Sequence, residues 1–179
     1  MKYFCLLAFI LFSTFTRFLM SHNEDPYLSQ EERLVNSVLE STAKVIKKKY
    51  NIKPSGEGAA MPEGIIGELT LTFDTNDKLS KEQLRKLLIE CAKELVAQVK
   101  MNNSIEPFLA KTPFSIENVQ IIIYNHDKEG RGLRDPEIST AEISHGVLTY
   151  RTLDPNDRFR FKNQFEETYN EAVNVLQNQ

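Results

Sequence analysis

Residues 65–101, IIGELTLTFDTNDKLSKEQLRKLLIECAKELVAQVKM, decide the fold class, because the hydrophobic period changes from two to 3.6 inside them. From Ile65 to Phe73, Leu69, Leu71 and Phe73 fall on one side and Glu68, Thr70 and Thr72 on the other. That alternation predicts a strand with one wet face. Asp74–Lys78 reads as a polar turn. A helix is predicted over Leu79–Met101, with Ser80 and Gln83 as a capping box and Leu79 placed to staple onto Leu84. Leu84, Leu87, Leu88, Cys91, Leu95 and Val99 make a single apolar stripe along it. Cys91 lies on that stripe and reads as a small buried hydrophobe rather than a reactive thiol.

Downstream, Met101–Glu117 is irregular, with Pro107 and Pro113 framing EPFLAKTPF; Phe108, Leu109 and Phe114 are expected to tuck back onto the core. Val119–Tyr124 is apolar on both faces, the pattern of a central strand. Thr140–Ser144 and Val147–Thr152 are two short strands around a His145-Gly146 turn. Phe161, Phe165, Tyr169, Ala172 and Leu176 have helical spacing and are read as the buried face of a last helix opened by Asp154-Pro155. Upstream, Ser29 and Glu32 form a second capping box, ahead of a helix with apolar residues from Leu34 to Tyr50. Lys47, Lys48 and Lys49 complement its C-terminal dipole. Asn51–Pro62 carries two glycines and two prolines and is read as a mobile loop. The expected fold is therefore α+β: a four-stranded, mostly antiparallel sheet packed by about three helices, in the order α-β-α-β-β-β-α.

The N-terminus sets the expected location. Tyr3–Thr16, YFCLLAFILFSTFT, is an apolar run behind Met1 and Lys2, the layout of an export signal. It falls short of the roughly 20 residues that a membrane span needs. Residues 1–20 are read as a signal peptide or N-terminal hydrophobic segment, 21–28 as a polar lead-in, and 29–179 as a single α+β domain. The expected location is periplasmic or secreted. The alternatives are an uncleaved membrane anchor, with Arg17 snorkelling to the headgroups, and a start at Met20. Removing residues 1–20 takes away Lys2 and Arg17 and no acidic residue, leaving 20 basic against 25 acidic residues. That balance argues against a nucleic-acid surface. Cys91 is then the one remaining cysteine, so no disulfide can form within the domain.

The chain has no C-x-x-C pair, no H-E-x-x-H, no Walker-type loop and no G-x-S-x-G. No cofactor, metal or catalytic residue is assigned from motifs, and His22 sits in the lead-in. An alternative reading takes His145 as a general base, with Glu142 or Asp127 orienting it, in a small hydrolase. Against it, His145 is also an ordinary turn residue beside Gly146, and His126 decorates a polar loop. That loop, Asn125–Pro136, offers oxygen ligands for calcium at Asn125, Asp127, Glu129 and Asp135. It lacks the register of an EF-hand, and Arg131 and Arg134 inside it would repel a cation.

From Leu79 to Tyr124 the chain opens a capped helix with L-S-K-E-Q-L-R-K-L-L, then carries I-E-P-F-L and P-F-S-I-E-N-V before a strand. In this it resembles an uncharacterised family of small exported bacterial proteins. Ser80, Glu82, Arg85, Leu87, Leu88, Ile105, Pro107, Leu109, Pro113, Phe114 and Asn118 match the family pattern as they stand. The resemblance implies a shared fold and no known activity, cofactor or catalytic residue. The expectation is a non-enzymatic binding or interaction module with an unknown protein or small ligand as partner. Membrane contact enters only if the N-terminal segment is uncleaved.

Overall fold

Ser80 closes the N-terminus of the central helix as its spacing predicts. Its hydroxyl accepts from the Gln83 amide, and the Gln83 side chain caps the Ser80 amide in return. The computed structural model describes residues 27–157 and 159–178. The leader assigned to residues 1–20, His22 and most of the lead-in lie outside the described residues. Residues 31–179 form one compact unit. The elements are α1 (Gln30–Tyr50), β1 (Lys53–Ala60), β2 (Glu68–Thr75), α2 (Lys81–Met101), β3 (Val119–Asn125), β4 (Thr140–Ser144), β5 (Val147–Leu153), β6 (Phe161–Thr168) and α3 (Tyr169–Gln177).

The class is α+β, but the sheet has six strands rather than four, in spatial order β1-β2-β3-β4-β5-β6. Neighbours run antiparallel except β2 and β3, which are parallel and joined through α2. That crossover is what two parallel strands require. The stripe of α2 joins one buried cluster with Leu69, Leu71 and Phe73 of β2 and Val119, Ile121 and Ile123 of β3, all fully or almost fully buried. The inner face of α1 (Val35, Val38, Leu39, Ile46) belongs to the same cluster. Lys47, Lys48 and Lys49 close its last turn, and Asn51 follows in the left-handed region at φ 54°. Phe114 is buried, and Phe108 and Leu109 pack against the core as expected.

Two segments correct the sequence reading. Residues 53–60, expected as loop, form the edge strand β1, which is mostly exposed on both faces. A strand with nothing to bury carries no period-two signal; the backbone ladder to β2 holds it. Pro54 fits because it sits on an edge beside a register shift between Pro54 and Gly56. The second correction is residues 161–168, expected as helix but forming the edge strand β6. Residues four apart share a face in a strand as well as in a helix, so the spacing of Phe161, Phe165 and Tyr169 fits both. Both phenylalanines are half-exposed instead of buried. A register shift pairs Phe161 with Leu153 and Phe165 with Tyr150, which sends the two rings to opposite faces. The last helix is only α3, capped by Thr168 and Glu171.

β3 is central, with partners on both sides, yet only one of its faces is buried. Gln120, Ile122 and Tyr124 point to the other face of the sheet, which no helix covers among the described residues. A side-chain ladder crosses that open face. Thr70 donates to Gln120 (3.0 Å), Gln120 to Glu142 (2.8 Å), Arg151 to Glu142 (2.7 Å) and to Gln164 (3.0 Å), and Gln164 to Glu166 (2.7 Å).

Candidate functional site

The β4–β5 turn has the expected form, with His145 at φ 48° and Gly146 at φ 73°, the pair of positive angles that a two-residue hairpin requires. Gly146 is also needed sterically, because a Cβ there would stand 2.5 Å from a Glu117 carboxylate oxygen. Neither acid proposed to orient His145 does so. Glu142 is held in the ladder by Gln120 and Arg151. Asp127 lies beyond the far end of β3, as does His126. The imidazole instead meets the Ser144 hydroxyl at Nδ1 (2.9 Å) and Glu68 at Nε2 (3.6 Å). Hydroxyl, imidazole and carboxylate are the parts of an activated nucleophile, and Ser144 was not visible as one in the sequence. The His145 side chain is 72% exposed at a hairpin tip, so little surrounds it to hold a substrate against it.

The β3–β4 loop does not gather its oxygens around a cation. Asn125 is fully buried and bonded to Leu79 and Ile138. Asp127 accepts from the Glu129 and Arg131 amides and from the Arg131 guanidinium; the Arg131 amide is the main reason its pKa lies below the usual range. Asp135 takes Lys162, Thr152 and Asn163, and Lys162 leads in holding its pKa down. Among the described residues, no group of three or more His, Cys, Asp or Glu side chains is placed to hold a metal ion. His126 pairs with Asp74 (3.1 Å), and its Nδ1 is buried with no partner among the described residues. Cys91 is fully buried, and burial raises its thiol pKa, which keeps it protonated.

A groove of about 480 Å³ opens where the start of α2 meets the end of the β3–β4 loop and β6. Asn125 builds it. Its side chain accepts from the Leu79 amide (2.9 Å) and donates to the carbonyls of Leu79 (2.9 Å) and Ile138 (2.8 Å), so one buried amide ties together the helix entry and the loop exit. Leu79, Pro136 and Ile138 give the groove apolar walls, and Phe165 on β6 supplies a half-exposed ring. Lys78 is paired with Glu137. Lys81, the first residue of α2, has its ammonium 4.8 Å from the centre of the Tyr150 ring and 5.4 Å from that of Phe165. Next to the groove, Arg85 donates to Glu167 (2.8 Å), which also accepts from the Tyr150 hydroxyl (2.5 Å). That pair raises the Arg85 pKa, while burial is the main cause of the raised Tyr150 pKa.

The sequence reading treated the groove residues as turn, cap and core. Lys81 carried the one available signal: a cation in the first helical turn, where the dipole favours acids. Phe165 carried none, having been read as buried.

No protein-family model matches the chain, and comparison with curated proteins and with solved structures finds no significant match to either. Among the described residues, no helix is long and apolar enough to cross a membrane.

Proposed function

We propose that the protein is an exported, non-enzymatic binding module, periplasmic or secreted, which takes its ligand in the groove at the start of α2. One observation carries the choice of site: an ammonium with no ion-pair partner among the described residues and a half-exposed phenylalanine face the same apolar-walled space. Its volume falls within the range of small-molecule pockets. Export is supported by the hydrophobic leader and by the resemblance to small exported bacterial proteins. In the alternative, the leader stays uncleaved and tethers the same module to a membrane. N-terminal sequencing and membrane fractionation of the natural protein separate the two locations, and a cytosolic chain beginning at Met20 would refute both.

The site itself is tested by magnetic resonance on the full isotope-labelled chain, titrated with small aromatic and aliphatic acids, amides and amines. Shifts should concentrate at residues 78–83, Ile138 and Phe165. Shifts confined to the open sheet face, or none with any compound, would refute the groove. A hydrolase reading retains one support, the Ser144–His145 contact. It predicts that His145→Ala abolishes an esterase activity while leaving the unfolding midpoint unchanged.

A further inference from the structure

We propose that the groove selects a small amphipathic monoanion: one carboxylate or equivalent acid group on an apolar body of about one ring. This specifies the ligand of the site proposed above and rests on that reading.

The charges select the sign. Lys78 is neutralised by Glu137. Among the described residues, no carboxylate comes within ion-pair distance of Lys81, and the neighbouring Glu82 carboxylate is bonded to the Ser80 hydroxyl, so Lys81 is the groove lysine without an ion pair. The adjacent Arg85–Glu167 pair adds no net charge. Lys81 also stands at the end of α2 where the helix dipole is positive, a location that disfavours a cation and favours an anion beside it. At the cap, the Gln83 amide goes to the Ser80 hydroxyl and the Leu84 amide to the Ser80 carbonyl, so neither is offered to the groove. The side chain that meets the charge is Lys81, because Lys78, the other lysine of the groove, is held by Glu137. Tyr150 and Phe165 fix that ammonium against two ring faces. They exclude water from one side of it, which strengthens its attraction for an anion on the other side.

The walls select the rest of the ligand. Leu79, Pro136 and Ile138 offer no charge, and the exposed Phe165 ring gives a flat apolar surface for a second ring or a short alkyl chain. One lysine without an ion pair among the described residues matches a monoanion. A polyanion such as a nucleic acid would need a run of them, and the acidic balance of residues 21–179 opposes it.

The test is calorimetric titration of the full chain with 4-phenylbutyrate and with its uncharged amide, on wild type, Lys81→Gln, Lys81→Arg and Phe165→Ala. Thermal unfolding of each variant serves as the folding control. The acid is expected to bind at least five-fold more tightly than the amide. Lys81→Gln should erase that preference, Lys81→Arg should keep it, and Phe165→Ala should weaken both ligands. Raising the salt should weaken the acid alone. If acid and amide bind equally to wild type and both weaken with Phe165→Ala, the anion inference is overturned and the groove stands. A preference for acid that survives Lys81→Gln overturns the role of Lys81. If neither compound binds, or Phe165→Ala changes nothing, the groove reading falls and takes this inference with it.

Discussion

Replacing Asn125 with alanine removes three hydrogen bonds at once, those with the Leu79 amide, the Leu79 carbonyl and the Ile138 carbonyl. At a net worth of about 1 kcal/mol each, the loss is about 3 kcal/mol, rising to about 5 kcal/mol if one of the stranded backbone groups stays dry. Asn125 is fully buried, so water cannot readily replace it. Asn125→Asp makes a sharper test at similar volume. It would set a carboxylate oxygen against the two carbonyls that the amide nitrogen now serves, so the new carboxyl should have a folded-state pKa raised above its unfolded value of about 3.9. A group raised in this way destabilises above its folded pKa. The aspartate variant should therefore trail wild type most at neutral pH and recover as the pH falls through that value, where the protonated carboxyl regains a donor. Urea unfolding followed by circular dichroism from pH 4 to pH 8 measures both effects. A loss below about 1 kcal/mol for the alanine variant would refute the pinning role given to Asn125, as would an aspartate deficit that does not change with pH.

Leu88→Ala, in the fully buried stripe of α2, should cost about 2–5 kcal/mol by leaving a cavity, read as a lower urea midpoint at unchanged slope. Glu167→Ala strands Arg85, which is 93% buried, and the Tyr150 hydroxyl, and should cost about 3–5 kcal/mol. Adding Arg85→Met should restore part of that, and a double mutant no better than Glu167→Ala alone would count against an uncompensated charge as the cause. Asp127 and Asp135 have folded-state pKa values held below their ordinary ones. The stability they contribute is present above the unfolded value and lost as pH falls through the lowered one. Lys162→Ala should therefore shrink the acid-induced drop in unfolding midpoint, and an unchanged acid limb would contradict the Asp135–Lys162 pairing.

How legible each part was in the sequence follows from what each part buries. α2 was readable because its cap, staple and stripe all agree over six turns. β2 and the β4–β5 hairpin were readable because alternation and turn chemistry pointed the same way. β1 was not, because Gly56, Gly58, Ala59 and Ala60 bury too little to set a period, and their place comes from pairing with a distant strand. β6 was lost to an ambiguity of spacing that the register shift between Thr152 and Leu153 compounds. The Ser144–His145–Glu68 contact joins residues 76 apart in sequence, and no local pattern encodes it. The groove was hidden for the same reason: its walls come from α2, the β3–β4 loop and β6, and only the misplaced charge of Lys81 marks it locally.

Among the described residues the sheet ends at β1 and β6, and such margins are templates for runaway self-association. Both carry the irregularities that discourage it. β1 begins with a lysine and a proline beside a register shift, and β6 pairs with a register shift of its own and is populated by Lys162, Glu166 and Glu167. The traits that made these strands hard to recognise also blunt the sheet's tendency to zip onto its neighbours at high concentration.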